Sequence, residues 1–256
     1  MTLIELMVSV SLMTVIVLGL YKVFDRTQKA MRDGANQVDT TETGRSSVGI
    51  ILRDIEQMSA SDSTNSVNFD MFQYTNSTVH TVLPGGTTNI STIQGMFFLK
   101  KGQHWKGVGY EIAPTANPLV SDALSGAGVR SLYRYEIETN ILQLSSNNLL
   151  NAFLTESPAQ AQRVADGVVH FRVKAYTNGI LVTNLAGQPE SSFQLAGKAP
   201  SHVEFEFGIL EPKVLEDIRN IPNSLAISNY LYRQPASFQI YRSRVRIPAG
   251  GNEVNQ

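Results

Sequence analysis

The chain has 256 residues, long enough to bury a sizeable core, and its charged fraction of 17% leaves an ordinary globular composition with few charges to spare. A formal net charge of −1 provides no global pull toward nucleic acid or an anionic membrane surface. Cysteine is absent, which excludes disulfides, thiolate metal ligands and a cysteine nucleophile.

The first element is apolar. Between Thr2 and Tyr21 the only charged residue is Glu5, and Leu6 to Tyr21 is an uninterrupted uncharged run. A helix from Met1 to Phe24 is about 36 Å long at about 1.5 Å per residue, enough to cross a hydrocarbon core of about 30 Å. No basic region precedes the run and no Ala-x-Ala site follows it, so a cleavable secretory signal fits poorly. An uncleaved signal anchor is the plain alternative, and Glu5 speaks against it. A carboxylate in an apolar helix costs about 2.5–3.5 kcal/mol at the helix centre, less near the end, and calls for a partner. The candidate is an N-terminal ammonium, its own or that of Met1 in a neighbouring copy. In a staggered bundle of identical helices the two charges cancel only on assembly, and the pair sets register as a buried polar residue does in a coiled coil.

The segment MTLIELMVSVSLMTVIVLGLY, residues 1–21, resembles the mature N-terminus of the type IV pilin and type II secretion pseudopilin superfamily. That pattern has Phe or Met first, then Thr-Leu-[Ile/Leu]-Glu, then an apolar stretch of membrane-spanning length; Thr2, Leu3, Ile4 and Glu5 all match it. The resemblance implies cleavage by a prepilin peptidase just before Met1, N-methylation of the new amine, and dependence of assembly on Glu5. It also implies that Met1 is the mature first residue and that a leader has been removed. Two positions depart from the major-subunit pattern. Lys22 stands where many major subunits have a helix-breaking proline, and Thr14 where they often have glycine. A helix without that proline resists local melting, which moves weight toward minor, tip-type subunits. Leu20-Tyr21-Lys22-Val23-Phe24 is similar to the J-type minor pseudopilins and W-type minor pilins.

An amphipathic pattern continues through Phe24, Met31, Ala35, Val38, Val48, Leu52, Ile55 and Met58, in steps of 3, 4 and 7 with one gap. This predicts one helix over about residues 2–60, weakened at Gly34, Gly44 and Gly49 and ended by the Ser59-Ala60-Ser61-Asp62-Ser63-Thr64-Asn65 stretch. Its apolar stripe is expected to pack on the globular head.

Residues 60–94 are rich in Ser, Thr and Asn and read as loop with room for one strand. Strand signals follow at 95–100, 108–112, 130–138 and 141–145, the last two flanking a hairpin at Thr139-Asn140. Val169, Phe171, Val173 and Ala175 alternate with polar residues before Asn178-Gly179 and Ile180, a strong hairpin signal. Val203, Phe205, Phe207 and Ile209 alternate in the same way, and Phe238 to Ile247 closes the series. Alternation of this kind predicts antiparallel strands with one buried and one wet face. Residues 149–165 and 212–232 read as partly helical insertions. The strand order is similar to that of J-type and W-type heads.

Signals for chemistry are sparse. His80, His104, His170 and His202 form no ligand-spaced pair, so no metal site is expected, and no Asp-x-Asp-x-Asp-Gly calcium loop is present. His170 and His202 lie on polar strand faces, where a cross-strand pair is the expectation. Gly107-Val108-Gly109 lacks the third glycine and following helix of a dinucleotide site, and no Gly-x-Ser-x-Gly elbow occurs. Arg242, Arg244 and Arg246 share one face of the last strand. They read either as contacts for an acidic partner subunit or as a solvated face paired with Glu204 and Glu206.

The expected fold is α+β: a long N-terminal helix packed against an antiparallel sheet, pilin-like. The expected organisation is a transmembrane or filament-core helix over 1–24, its amphipathic half over 25–60, and a β-rich head over 61–256. The expected function is structural rather than enzymatic: a filament subunit of a pilus or secretion pseudopilus, major or minor. The alternative is a membrane-anchored adhesin or ligand-binding tip head. The assembly residues are Met1, Thr2 and Glu5, with Arg242, Arg244 and Arg246 as a partner surface and no cofactor or metal. Expected partners are further copies or other pilins and pseudopilins, and the prepilin peptidase; nucleic acid is not among them. The expected location is the bacterial inner membrane before assembly and a periplasmic or extracellular filament after it.

Overall fold

The computed structural model describes residues 2–61, 66–73, 92–113, 124–139, 148–155, 161–183, 192–234 and 238–248. Helix α1 spans Leu3–Glu56. Strands β1 (Val67–Gln73), β2 (Gln94–Lys101), β3 (Trp105–Ala113) and β4 (Arg130–Thr139) follow, then helix α2 (Asn148–Thr155). Strands β5 (Gln162–Thr177), β6 (Ile180–Leu181), β7 (Phe193–Ala196) and β8 (His202–Leu210) come next. Helices α3 (Pro212–Arg219) and α4 (Ser224–Tyr232) precede the last strand, β9 (Phe238–Arg246). The fold class is α+β, a long N-terminal helix against an antiparallel sheet.

The chain divides into two compact units, Met1–Asp39 and Thr40–Gln256. In the first, the helix exposes its large apolar side chains, Phe24, Met31 and Val38 among them. The apolar stripe predicted from Phe24 onward therefore packs on the sheet only from Val48. The buried face of α1 is instead Thr40, Gly44, Ser47, Val48, Ile51, Asp54 and Ile55. Small residues begin this seam because the sheet comes close there. A Cβ at Gly44 would overlap the Tyr241 ring of β9, and Tyr241 Oη donates to the Thr40 carbonyl at 3.3 Å. Gly44, a weak point by helix propensity, thus makes room for an aromatic ring.

In the second unit the strand order is β7-β1-β2-β3-β4-β5-β8-β9, with β6 on β5. The inner face of the sheet closes on α1: Phe69, Met96, Phe98, Tyr110, Phe171, Phe205 and Phe207 pack with Ile51 and Ile55 in one core. Strand β5 bends at a bulge between Val168 and His170, pairing with β4 by its first half and β8 by its second. The approach to β2 runs beside that second half: Ile93 bridges Phe171 in parallel, and Gln94 Oε1 accepts the Val173 N–H at 2.6 Å.

The expectation of one wet face fails over β2–β4. Leu149, Leu150 and Phe153 of α2 cover Phe97, Trp105, Tyr133 and Tyr135 on the outer face, so β2 is buried from Gln94 to Leu99. Helices α3 and α4 likewise cover Val169, Leu210 and Phe238. Pro212 opens α3 at a position where its missing N–H costs nothing. Asn223 caps α4 by accepting from Leu225 N–H at 2.8 Å. Of the partly helical insertion predicted over 149–165, the described residues place α2 as far as Thr155, and Gln162 already begins β5. Asn178 and Gly179 take left-handed φ values of 52° and 79°, the geometry a two-residue hairpin of the right twist needs. Strand β7 has no counterpart in the sequence reading, and the proposed 141–145 strand and its hairpin lie outside the described residues.

Candidate functional site

The first candidate is the start of α1. Thr2 accepts the N–H groups of Glu5 at 3.1 Å and Leu6 at 3.3 Å, which starts the helix. The Glu5 carboxylate reaches back and accepts the Thr2 N–H at 3.3 Å. Thr at the cap with Glu three residues later is the capping-box sequence, legible in Thr2-Leu3-Ile4-Glu5 itself, and the structure forms the Glu5 half of that box. A carboxylate also complements the positive end of the helix dipole. Met1 lies outside the described residues.

Beyond Glu5, the polar side chains of the apolar run satisfy themselves. Ser9, Ser11 and Thr14 each donate to the carbonyl four residues back, at 2.8 Å. Such back-bonding hides hydroxyls from an apolar surrounding. The helix is long and apolar enough to cross a membrane, and none of its most apolar window is buried within the protein. Leu3 is 80% exposed and Tyr21 is 71% exposed. Glu5 is thus the one charged group in a bare apolar helix surface from Leu3 to Tyr21.

The second candidate is the outer face of β5, β8 and β9 beyond the reach of α3 and α4. Register places Arg172, Glu206 and Arg242 side by side, then Lys174, Glu204 and Arg244, then Tyr176, His202 and Arg246. Arg242 Nε lies 3.2 Å from Glu206, and Arg244 Nε 3.5 Å from Glu204. The internal pairing read from sequence is therefore present. A bond from His170 and the Arg242 charge, against partial burial, hold the Glu206 carboxyl down at about 2.

The two histidines do not meet across the sheet. His170 pairs in register with Gly208, and His202 with Tyr176; both are buried rather than on a wet face. His170 Nδ1 accepts the Thr92 N–H at 3.1 Å, which leaves Nε2 to donate to Glu206 at 3.3 Å. His202 stacks on Tyr176 at 4.3 Å, and its Nε2 accepts from Arg244 Nη2 at 2.7 Å. Burial first, then the Arg244 charge, keeps its pKa below the ordinary histidine value. His80 lies outside the described residues, and His104 is exposed in the β2–β3 turn. Gly107 and Gly109 sit within β3, not at a strand-to-helix turn.

Among the described residues no three His, Asp or Glu side chains are grouped to hold a metal. The sequence reading singled out the β9 arginines but not Arg172, Lys174 and Tyr176, which share their face. The alternation of β5 carried that signal; the strand order that brings β5 within one strand of β9 did not show in the sequence. No protein-family model matches the chain, and no curated protein matches it.

Proposed function

We propose that this chain is a structural subunit of a pilin-like filament, held in a membrane by its first helix and packed with other subunits through that helix after assembly. One observation carries the reading: sixteen large apolar side chains between Leu3 and Phe24 are exposed, and the only charge before Lys22 is Glu5 at the capped start. Covering each such side chain is worth about 1.5–3 kcal/mol, so a surface of this size is stable against lipid or against other helices, not in water. A lone anchor accounts for the apolar surface and for an acceptor that caps the helix start, but capping needs only an acceptor oxygen, not a charge kept in an apolar surrounding. In a bundle of copies, Glu5 accepts an N-terminal ammonium and fixes the axial stagger.

The capping contact fits this role. Among the described residues the Thr2 N–H gives the Glu5 carboxylate one long bond, which holds it at the helix end, and a carboxylate has further lone pairs for a stronger, charged donor. The N-terminal amine of Met1 is the proposed donor, and N-methylation leaves it charged. The head, carried on the same chain, then decorates the filament, in an inner-membrane-anchored precursor and a periplasmic or extracellular product. The quantity of this chain in sheared, purified filaments separates a shaft subunit, present as the dominant protein, from a tip subunit, present in trace. Glu5→Ala is expected to keep the protein in the membrane and remove it from filaments. Normal incorporation of that variant overturns the charge pairing.

A further inference from the structure

Among the described residues, the outer face of β5–β8–β9 carries five cations, Arg172, Lys174, Arg242, Arg244 and Arg246, against two carboxylates, Glu204 and Glu206. Its net charge is +3 in a chain whose formal charge is −1. The carboxylates form a central column and the cations flank it on both sides. Two rows across the face have two cations for one acid and the third has Arg246 with no acid, so the internal ion pairs leave a positive surplus. With strands about 4.8 Å apart and alternate residues about 6.8 Å apart, the cation columns stand about 10 Å from each other.

We propose that this face is a docking surface for an acidic polypeptide segment of a neighbouring subunit. Three features point to it. The first is the surplus charge on one small face: Arg242 and Arg244 already pair with Glu206 and Glu204, and Lys174 and Arg246 add two further cations beside them, a surface that an acidic partner complements. The second is preorganisation. Arg244 is 63% exposed in its side chain, yet it is held by His202 at 2.7 Å, by Glu204 at 3.5 Å, and over the Tyr176 ring at 5.8 Å. An exposed arginine normally spends its rotamer freedom; one already fixed loses less on binding. Tyr176 is itself fixed by Glu204, which accepts its hydroxyl at 2.9 Å. The third is spacing. Carboxylates at alternate positions of an extended segment recur about every 6.8 Å, and on a helix at four-residue steps about every 6 Å, either of which matches the rows. A nucleic-acid strand is the competing polyanion. The site of action rests on the filament reading above, while the charge chemistry stands without it.

The test uses the full chain in detergent and poly-L-glutamate as the probe. Wild-type protein is expected to bind the probe saturably, with affinity falling as salt rises from about 0.05 M to about 0.3 M. Arg242→Glu with Arg244→Glu is expected to weaken binding at least tenfold; because the exchange also breaks the ion pairs with Glu206 and Glu204, circular dichroism at the assay temperature checks that the variant stays folded. Arg242→Lys with Arg244→Lys, which keeps the charge, is expected to retain most of the binding. Equal binding by wild type and the Glu double variant overturns the proposal. So does tighter binding of single-stranded DNA of equal charge than of poly-L-glutamate. A negative result here leaves filament assembly untouched, and failure of the Glu5 experiment leaves this face untouched, so the two readings fail separately.

Discussion

Arg134 Nε donates to the Asp54 carboxylate at 2.6 Å, joining a central strand of the sheet to the last turn of α1. Tyr110 Oη donates to the same carboxylate at 2.6 Å and Lys100 Nζ at 2.9 Å. Burial alone would raise the Asp54 pKa, but these hydrogen bonds outweigh it and hold the group below the ordinary carboxylate range. Arg134 also reaches Glu136, which pairs with Lys106 on β3, so the charges run in a chain from helix to sheet surface. An apolar stripe packs a helix in many registers; a carboxylate met by three donors from β2, β3 and β4 accepts one.

Asp54→Ala is expected to cost about 3–5 kcal/mol, because it takes the shared carboxylate from a half-buried lysine, a half-buried arginine that keeps only Glu136, and a buried phenol. Tyr110→Phe removes one hydrogen bond to a charged group and is expected to cost about 1.5–3 kcal/mol. The detergent-solubilised chain, unfolded in urea, checks both. A loss under about 1 kcal/mol for Asp54→Ala means that the cluster is solvated rather than structural.

Asp70 on β1 behaves in the opposite sense. It is buried at 4% exposure, and burial pushes its carboxyl up to about 6 despite bonds from Gln194 and the Met71 N–H. A carboxyl raised in the folded state is a penalty that is full above pH about 6 and gone below about 4, where both states are protonated. Asp70→Asn is therefore expected to stabilise the protein at pH 7, by about 1–2 kcal/mol after allowing for weakened hydrogen bonds. At pH 4 the gain disappears. Thermal midpoints at the two pH values check the sign; an equal gain at both refutes the burial penalty.

Much of this arrangement is legible in the sequence and some is not. The alternation over Val203–Ile209 and the Asn178-Gly179 pair mark β8 and the β5–β6 hairpin because pleat and turn chemistry are local. The seam of α1 is not local. Met31 and Val38 look like core and are exposed, while Thr40, Gly44 and Ser47 look polar or weak and are buried. What decides is the approach of Tyr241, distant in sequence, and no periodicity reports that. Asp54 reads as a charged helix residue; its donors come from three strands whose order is a tertiary fact. The capping box at Thr2 and Glu5 is the reverse case, a purely local signal that a membrane-centred reading of Glu5 passes over.

The Gly44–Tyr241 contact can be tested by a change of sign. In an otherwise wild-type chain Gly44→Ala is expected to destabilise, since the new methyl displaces the Tyr241 ring from its bonds to Gln239 and Thr40. With Tyr241→Ala already in place the same change is expected to stabilise by about 1 kcal/mol, the ordinary helix preference for alanine over glycine. A double-mutant cycle on urea midpoints measures both. The same sign in both backgrounds shows that the ring yields freely.

Glu5 has two physical roles, and one substitution separates them. As a capping residue it needs only an acceptor oxygen that reaches the Thr2 N–H, and glutamine supplies one. As the partner of an ammonium it needs a negative charge, which glutamine lacks. Glu5→Gln is therefore expected to leave helix content and membrane retention unchanged. Incorporation into filaments is expected to fall at least tenfold, as it does for Glu5→Ala. Circular dichroism of the solubilised protein reads the first property, and quantitative mass spectrometry of sheared filaments reads the second. If Glu5→Gln assembles normally while Glu5→Ala does not, the carboxylate serves the helix end and not a neighbouring amine. The stagger between subunits must then come from side-chain packing alone.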